Sequence, residues 1–168
     1  SNSLGLILPG DHIEPSLIAA LLGNISSLPF DYLSRQKVSG LNLNFFMMEQ
    51  LPVLSPQAYN QKDISFIVPR VLSLTANSIK MQGWSKYIGI PPLSIDPNER
   101  HLIQCELDAY YAYKYSMNRS DLIYVLDENK KEIDLENFKA LKKYEIKTFG
   151  EFRTKRLILE AWDRFFEK

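Results

Sequence analysis

Between Pro15 and Ile25 the apolar residues Leu17, Ile18, Leu21, Leu22 and Ile25 recur every three to four positions. Pro15 suits a first helical turn, so the spacing predicts a helix over residues 15–27. Pro29 interrupts it, and Phe30 to Gln36 reads as a second short helix that ends towards Gly40. Leu41, Leu43 and Phe45 then alternate with Asn42 and Asn44, the period of a short half-buried strand. Asn44 is equally placed to cap a short helix through Gln50. Pro52 and Pro56 close this block.

The signal weakens from Tyr59 to Ile95. Val68 to Ile79 reads as a helix with Val71, Leu72 and Thr75 inward, and Gly83, Gly89, Pro91 and Pro92 mark residues 81–95 as a connector. Asp96-Pro97-Asn98-Glu99 then supplies an N-cap, a first-turn Pro and a Glu to close a capping box. The helix it opens runs from 97 to about 116, with Leu102, Ile103, Leu107, Tyr110, Tyr111 and Tyr115 on its buried face. Ser120-Asp121 caps a short helix through Leu126, and Asp134 another that carries Phe138 and Leu141. A last helix over 151–166 turns Leu157, Ile158, Ala161, Trp162, Phe165 and Phe166 inward and Arg153, Lys155, Arg156 and Arg164 outward. The expected fold class is α+β and mainly helical, a small half with short strands followed by a C-terminal helical assembly. Its units are residues 4–58, a helix and connector over 59–95, and a helical tail over 96–168.

Composition adds limits. The 168 residues are 45% apolar and carry 20 Lys and Arg against 20 Asp and Glu, a net charge of zero. That balance excludes disordered and fibrous classes, and the longest uncharged stretch, Pro15 to Phe30, is broken by Pro15, Asn24, Ser26, Ser27 and Pro29, which disfavours a membrane span. A single cysteine, Cys105, excludes an intramolecular disulfide and fits a reducing, cytoplasmic compartment. Mid-helix, it reads as a small buried residue rather than a nucleophile. Ser1-Asn2 resembles the scar of a cleaved tag and no initiator Met is present, so a piece of a longer protein is expected.

No Gly-x-Gly, Gly-Lys-Ser/Thr or Gly-x-Ser-x-Gly occurs, which leaves dinucleotide binding, P-loop hydrolysis and nucleophile-elbow chemistry without their loops. The two histidines, His12 and His101, lie far apart without Cys or carboxylate at ligand spacing and read as surface residues, so no metal site is expected. Adenine methyltransferases hold the target amine with an Asn/Asp-Pro-Pro-aromatic loop, whereas Ile90 and Leu93 flank Pro91-Pro92 here.

Three constellations remain. Phe30 to Phe46 gathers bases and amides round a Gly turn, and Arg35, Gln36, Lys37, Ser39, Asn42 and Asn44 are the residue types that fork onto guanine, pair with adenine edges or neutralise phosphate. Arg35 and Asp31, four apart, are also spaced to pair across one helical turn. Between Lys139 and Arg156 seven bases face two acids, a patch suited to phosphates or simply to water, with Arg153, Lys155 and Arg156 at its end. Asp127, Glu145 and Lys147 have the residue types of a metal-dependent nuclease, which needs its carboxylates on adjacent strands. The run Tyr110, Tyr111, Tyr113 and Tyr115 suits base stacking or, better, core packing.

Longer phrases carry a resemblance. Phe30-Asp31-Tyr32-Leu33-Ser34-Arg35-Gln36-Lys37-Val38-Ser39-Gly40, Leu41-Asn42-Leu43-Asn44-Phe45-Phe46 and Glu49-Gln50-Leu51-Pro52-Val53 come first, followed by Glu106-Leu107-Asp108-Ala109-Tyr110 and Leu122-Ile123-Tyr124-Val125-Leu126-Asp127. The ending is Phe149-Gly150-Glu151-Phe152-Arg153-Thr154-Lys155-Arg156-Leu157-Ile158-Leu159-Glu160-Ala161-Trp162. In this order they resemble the C-terminal part of large bacterial type II-like restriction-modification proteins with an adenine-specific DNA methyltransferase domain. The match spans most of 15–166 and is weak over 81–95. The resemblance implies that residues 4–58 belong to a target-recognition region and that 96–168 are the C-terminal helical tail. It further implies double-stranded DNA and an upstream methyltransferase domain as partners, no catalytic residue or cofactor in this fragment, and S-adenosylmethionine for the parent, with or without restriction activity. The alternatives are the nuclease above and a purely structural docking tail.

Overall fold

A computed structural model describes residues 10, 12–38, 45–75, 82–91, 96, 99–126 and 138–167. Among them every regular element is helical: α1 (Pro15–Ile25), α2 (Leu28–Lys37), α3 (Phe45–Met48), α4 (Gln61–Thr75), α5 (Gln82–Ile88), α6 (Arg100–Lys114), α7 (Arg119–Leu126), α8 (Lys139–Phe149) and α9 (Arg153–Phe166), with a 3-10 turn at Pro56–Ala58. The α+β expectation is therefore corrected to all-α among the described residues. Residues 41–44 of the expected strand lie outside them, and Phe45 opens α3, its carbonyl accepting from Glu49 N–H at 3.0 Å. Five alternating residues suit a helix start as well as a strand, and the helical option carries through Met48.

Helix α6 is the axis of the fold, packed against α9, α4 and α2. Its small residues Cys105, Ala109 and Ala112 join Leu28, Leu122, Val125, Leu126, Leu157, Ile158, Ala161 and Trp162 in one core cluster. Its larger Leu107 and Tyr111 join Ala19, Ala20, Ile64, Ile67, Val68, Val71 and Leu72 in a second. Leu102, expected inward, is 38% exposed, and Tyr110 and Tyr115 are only partly buried.

The face that α1 buries is not its leucine stripe. Ser16, Ala19, Ala20, Gly23 and Asn24 are buried, at helical spacing, whereas Leu17, Ile18, Leu21, Leu22 and Ile25 are half-buried. The cause is close approach: the Tyr111 hydroxyl donates to Ala20 O at 2.7 Å, and a Cβ on Gly23 would lie 2.8 Å from that hydroxyl and 2.9 Å from Val71 Cγ2. Only a small-residue face admits this packing.

Helix starts differ from expectation where a side chain caps differently. Asn60 Oδ1 accepts from Lys62 N–H and Asp63 N–H while Asp63 Oδ2 accepts from Asn60 N–H at 2.7 Å, a reciprocal cap that starts α4 seven residues before Val68. Pro69 sits inside that helix. Asn118 and Asp121 repeat the device at α7, two residues ahead of the expected Ser120 cap. Pro29 does not break α2 but occupies its first turn, where no N–H bond is lost. The expected connector over 81–95 contains α5, whose Trp84 and Ile88 pack on the second cluster. Glu99 precedes α6 without a side-chain cap bond, Pro97 and Asn98 lying outside the described residues, as does Asp134.

Candidate nucleic-acid interface

Helix α2 is anchored at one end and open at the other. The Leu28 N–H donates to Asp108 Oδ1 on α6 at 2.8 Å, and Leu28, Pro29 and Phe30 are buried. Arg35, Gln36 and Lys37, at the far end, are exposed. The i,i+4 pairing is realised: Arg35 donates from Nε to Asp31 Oδ1 at 3.0 Å, its Nη2 lies 2.9 Å from Oδ2, and its guanidinium sits 5.6 Å from the Phe138 ring centroid. An exposed helical pair of this kind is worth only about 0.3–0.5 kcal/mol, so a phosphate can compete for the arginine. Ser39, Asn42 and Asn44 lie outside the described residues.

The candidates for phosphate contact divide. Arg156 is exposed and already paired at the surface, its Nε, Nη1 and Nη2 donating to Glu151 and Glu160 at 2.8–3.1 Å. The Glu151 bond raises the guanidinium pKa further, and a phosphate would have to displace two carboxylates to reach this arginine. Arg153 is half-buried and stacks 5.3 Å over Phe149, and Lys155 is half-buried and not without a partner. On α8 the lysines Lys139, Lys143 and Lys147 are exposed and Lys142 half-exposed.

The nuclease constellation is not assembled. Glu145 is 3% exposed, its Oε2 accepting from Thr154 N–H at 2.8 Å and its Oε1 from the Thr154 hydroxyl at 2.7 Å. It thus caps α9 from α8, answering an N–H left over in the first turn and the positive end of the helix dipole. Lys147, two residues on, is exposed, and two helical positions separate side chains by about 200°. Asp127 lies outside the described residues, which include no strand and no group of three His, Cys, Asp or Glu able to hold a metal. His101 corrects the surface expectation: half-buried, its Nε2 lies 2.9 Å from the Thr154 hydroxyl and 3.7 Å from Glu145, and burial lowers its pKa. His12 is exposed.

What sequence reading missed is a polar framework along α6. Glu106 Oε2 accepts from Arg70 Nε at 2.8 Å and its Oε1 from Arg164 Nη2, while Arg70 lies 3.6 Å over Phe66 and Arg164 4.5 Å over Phe165. Asp63 accepts from Lys114 Nζ and from the Tyr110 hydroxyl, each at 2.8 Å. Asp108 is enclosed; burial pushes its pKa up to about 7 against the bonds from Leu28 N–H and Gln104. Acids inside the apolar run Cys105 to Ala112 were the available signal, because a charge there needs a partner. The tyrosine run serves packing. Tyr111 is buried, Tyr110 stacks on Phe66 at 4.1 Å, Tyr113 on Phe166 at 4.2 Å, and the Tyr115 hydroxyl donates to Pro52 O. Cys105 is buried, and burial pushes its thiol pKa up, away from nucleophilic use. No single helix among the described residues is long and apolar enough to cross a membrane. Compared with known protein families, curated proteins and solved structures, the chain matches none of them.

Proposed function

We propose that the chain is a DNA-recognition fragment from the C-terminal part of a restriction-modification adenine-specific DNA methyltransferase, binding duplex DNA and bracing the upstream domain. The observation that carries this reading is the layout of α2, whose buried start fixes it on α6 and whose exposed end presents Arg35, Gln36 and Lys37 next to residues 39–44. The resemblance of that same stretch to the family supplies the identity of the target. In this reading Arg35 and Lys37 engage phosphate or guanine, and Gln36, Ser39, Asn42 and Asn44 read base edges. The parent enzyme flips an adenine out of the duplex and methylates its amine from S-adenosylmethionine with residues outside this chain. Phe45 and Phe46, 74% and 72% exposed, suit contact with the upstream domain.

The test is fluorescence anisotropy of a short duplex titrated with the chain at several salt concentrations. Replacing Arg35 and Lys37 together by Ala is expected to weaken binding and to flatten the slope of log K against log salt by about 1.8, two phosphates at about 0.9 each. An unchanged affinity and slope would sink the α2 assignment and leave a docking tail.

A further inference from the structure

Resting on the DNA-binding reading above, we infer that Asp31 is a positioning residue that holds Arg35 as a reader of guanine in the major groove. Asp31, one turn back on α2, takes the Nε–H of Arg35 on Oδ1 at 3.0 Å and sets Oδ2 2.9 Å from Nη2, so both contacts use the same edge of the guanidinium. A second element closes on the same group: Phe138, which precedes α8, brings its ring centroid to 5.6 Å from the guanidinium carbon. Asp31 is itself fixed. It follows the buried Leu28, Pro29 and Phe30, its N–H donates to Ser27 O at 3.0 Å, and the Leu28 N–H ties the same turn to Asp108. A long side chain that would otherwise sample many rotamers is thereby restricted before a ligand arrives, which lowers the entropy cost of binding one.

The edge that Asp31 leaves selects the ligand. Between Nη1 and Nη2 the guanidinium keeps two parallel N–H groups, the fork that matches O6 and N7 of guanine. Adenine and cytosine each offer a donor in the major groove, and thymine a single acceptor, so none of them fills it. The Arg35 side chain is 51% exposed and accessible to a base. A phosphate must compete with Asp31 for the charge of the arginine, whereas guanine is neutral and takes the edge that is left. Lys37, on the same exposed end of α2, has a point charge and no fork, and suits phosphate.

The test is selection from a pool of duplexes with a randomised centre, the bound fraction being sequenced for the unaltered chain and for each variant. Base preference is read rather than salt slope, because a cation lodged in the groove displaces counterions whichever acceptor it takes. Preference is a ratio within the bound fraction, so partial unfolding of a variant does not move it. The unaltered chain is expected to favour guanine at one position by about tenfold. Arg35→Lys, which keeps the charge without the fork, and Asp31→Ala, which removes both anchoring oxygens, are each expected to cut that preference to about twofold. Asp31→Glu, still spaced to pair across the turn, is expected to retain it. A guanine preference that ignores Arg35→Lys, or none in the unaltered chain, overturns the guanine assignment and leaves DNA binding in place. Preference lost with Arg35→Lys but kept by Asp31→Ala overturns the positioning role. No binding of the unaltered chain to any duplex overturns the DNA-binding reading and this inference with it.

Discussion

The charges along α6 and those on α8 follow opposite rules. Along α6 the buried charges are matched: Glu106 lies between Arg70 and Arg164, and Asp63 of α4 meets Lys114 and Tyr110. On α8 the single acid is turned inward, and Lys143 and Lys147 are exposed without an ion pair among the described residues. Buried ions must be matched because desolvation costs several kcal/mol per charge, so the first region is committed to holding the fold. Water screens Lys143 and Lys147, so they add little to holding the fold.

The comparison breaks most visibly at Glu106. Replacing it by Ala leaves Arg70, partly buried, without its carboxylate and is expected to cost about 3–5 kcal/mol in urea denaturation. Glu151→Ala, which frees an exposed arginine, is expected to leave the midpoint unmoved. A Glu106 variant as stable as the original would mean that the interior ions are not coupled as their geometry implies.

Acidity sharpens the contrast within the interior itself. Burial raises the Asp108 pKa to about 7, so in the folded protein it holds a proton that the unfolded chain releases near 3.9. Its contribution is full below about pH 4 and is lost as pH rises towards 7, with a slope approaching about 1.4 kcal/mol per pH unit. For Asp63, burial pushes upward, but the bonds from Lys114, Asn60 N–H and Tyr110 outweigh it and lower the pKa. That contribution is present above about pH 4 and is lost on acidification. Asp108→Asn should therefore flatten the stability profile between pH 4 and 7, and Asp63→Asn should flatten it below 4; denaturation midpoints at stepped pH read both. A profile flat from 4 to 7 in the unaltered protein would refute the Asp108 account.

Helix existence was legible where the apolar period was sustained, as at α1, α6 and α9. Boundaries failed where the cap is Asn rather than Ser: Asn60-x-x-Asp63 and Asn118-x-x-Asp121 are the same signal, visible in the chain once Asp is allowed the role of Glu. The buried face of α1 was not legible, because it depends on Tyr111 arriving from 91 residues away. Of the candidate site, the exposure of Arg35 to Lys37 followed from their place past the buried turn of α2. The fate of Arg156 and Glu145 did not, since local charge count cannot say which ions a fold pairs off.

That long-range fit gives a third, smaller effect. Gly23→Ala places a methyl against the Tyr111 hydroxyl and Val71, and overpacking of this kind costs about 1–3 kcal/mol. Tyr111→Phe removes one of the two obstacles, so the double variant is expected to lose less than the sum of the singles by urea denaturation. Strict additivity would mean that α1 and α6 do not approach as closely as described.

Helix α8 belongs to both regions, and its own residues give the finest cut. Glu145→Ala removes the acceptor of Thr154 N–H and the Thr154 hydroxyl, a cap worth about 0.5–2 kcal/mol. Hydrogen exchange at the Thr154 amide should quicken and α8 should loosen from α9. Lys147→Ala, two residues along the same helix, should change neither the exchange rate nor the denaturation midpoint. If Lys147→Ala destabilised the fold as Glu145→Ala does, the lysine would be engaged internally. If neither variant moved the exchange rate, the cap would not hold α8 against α9.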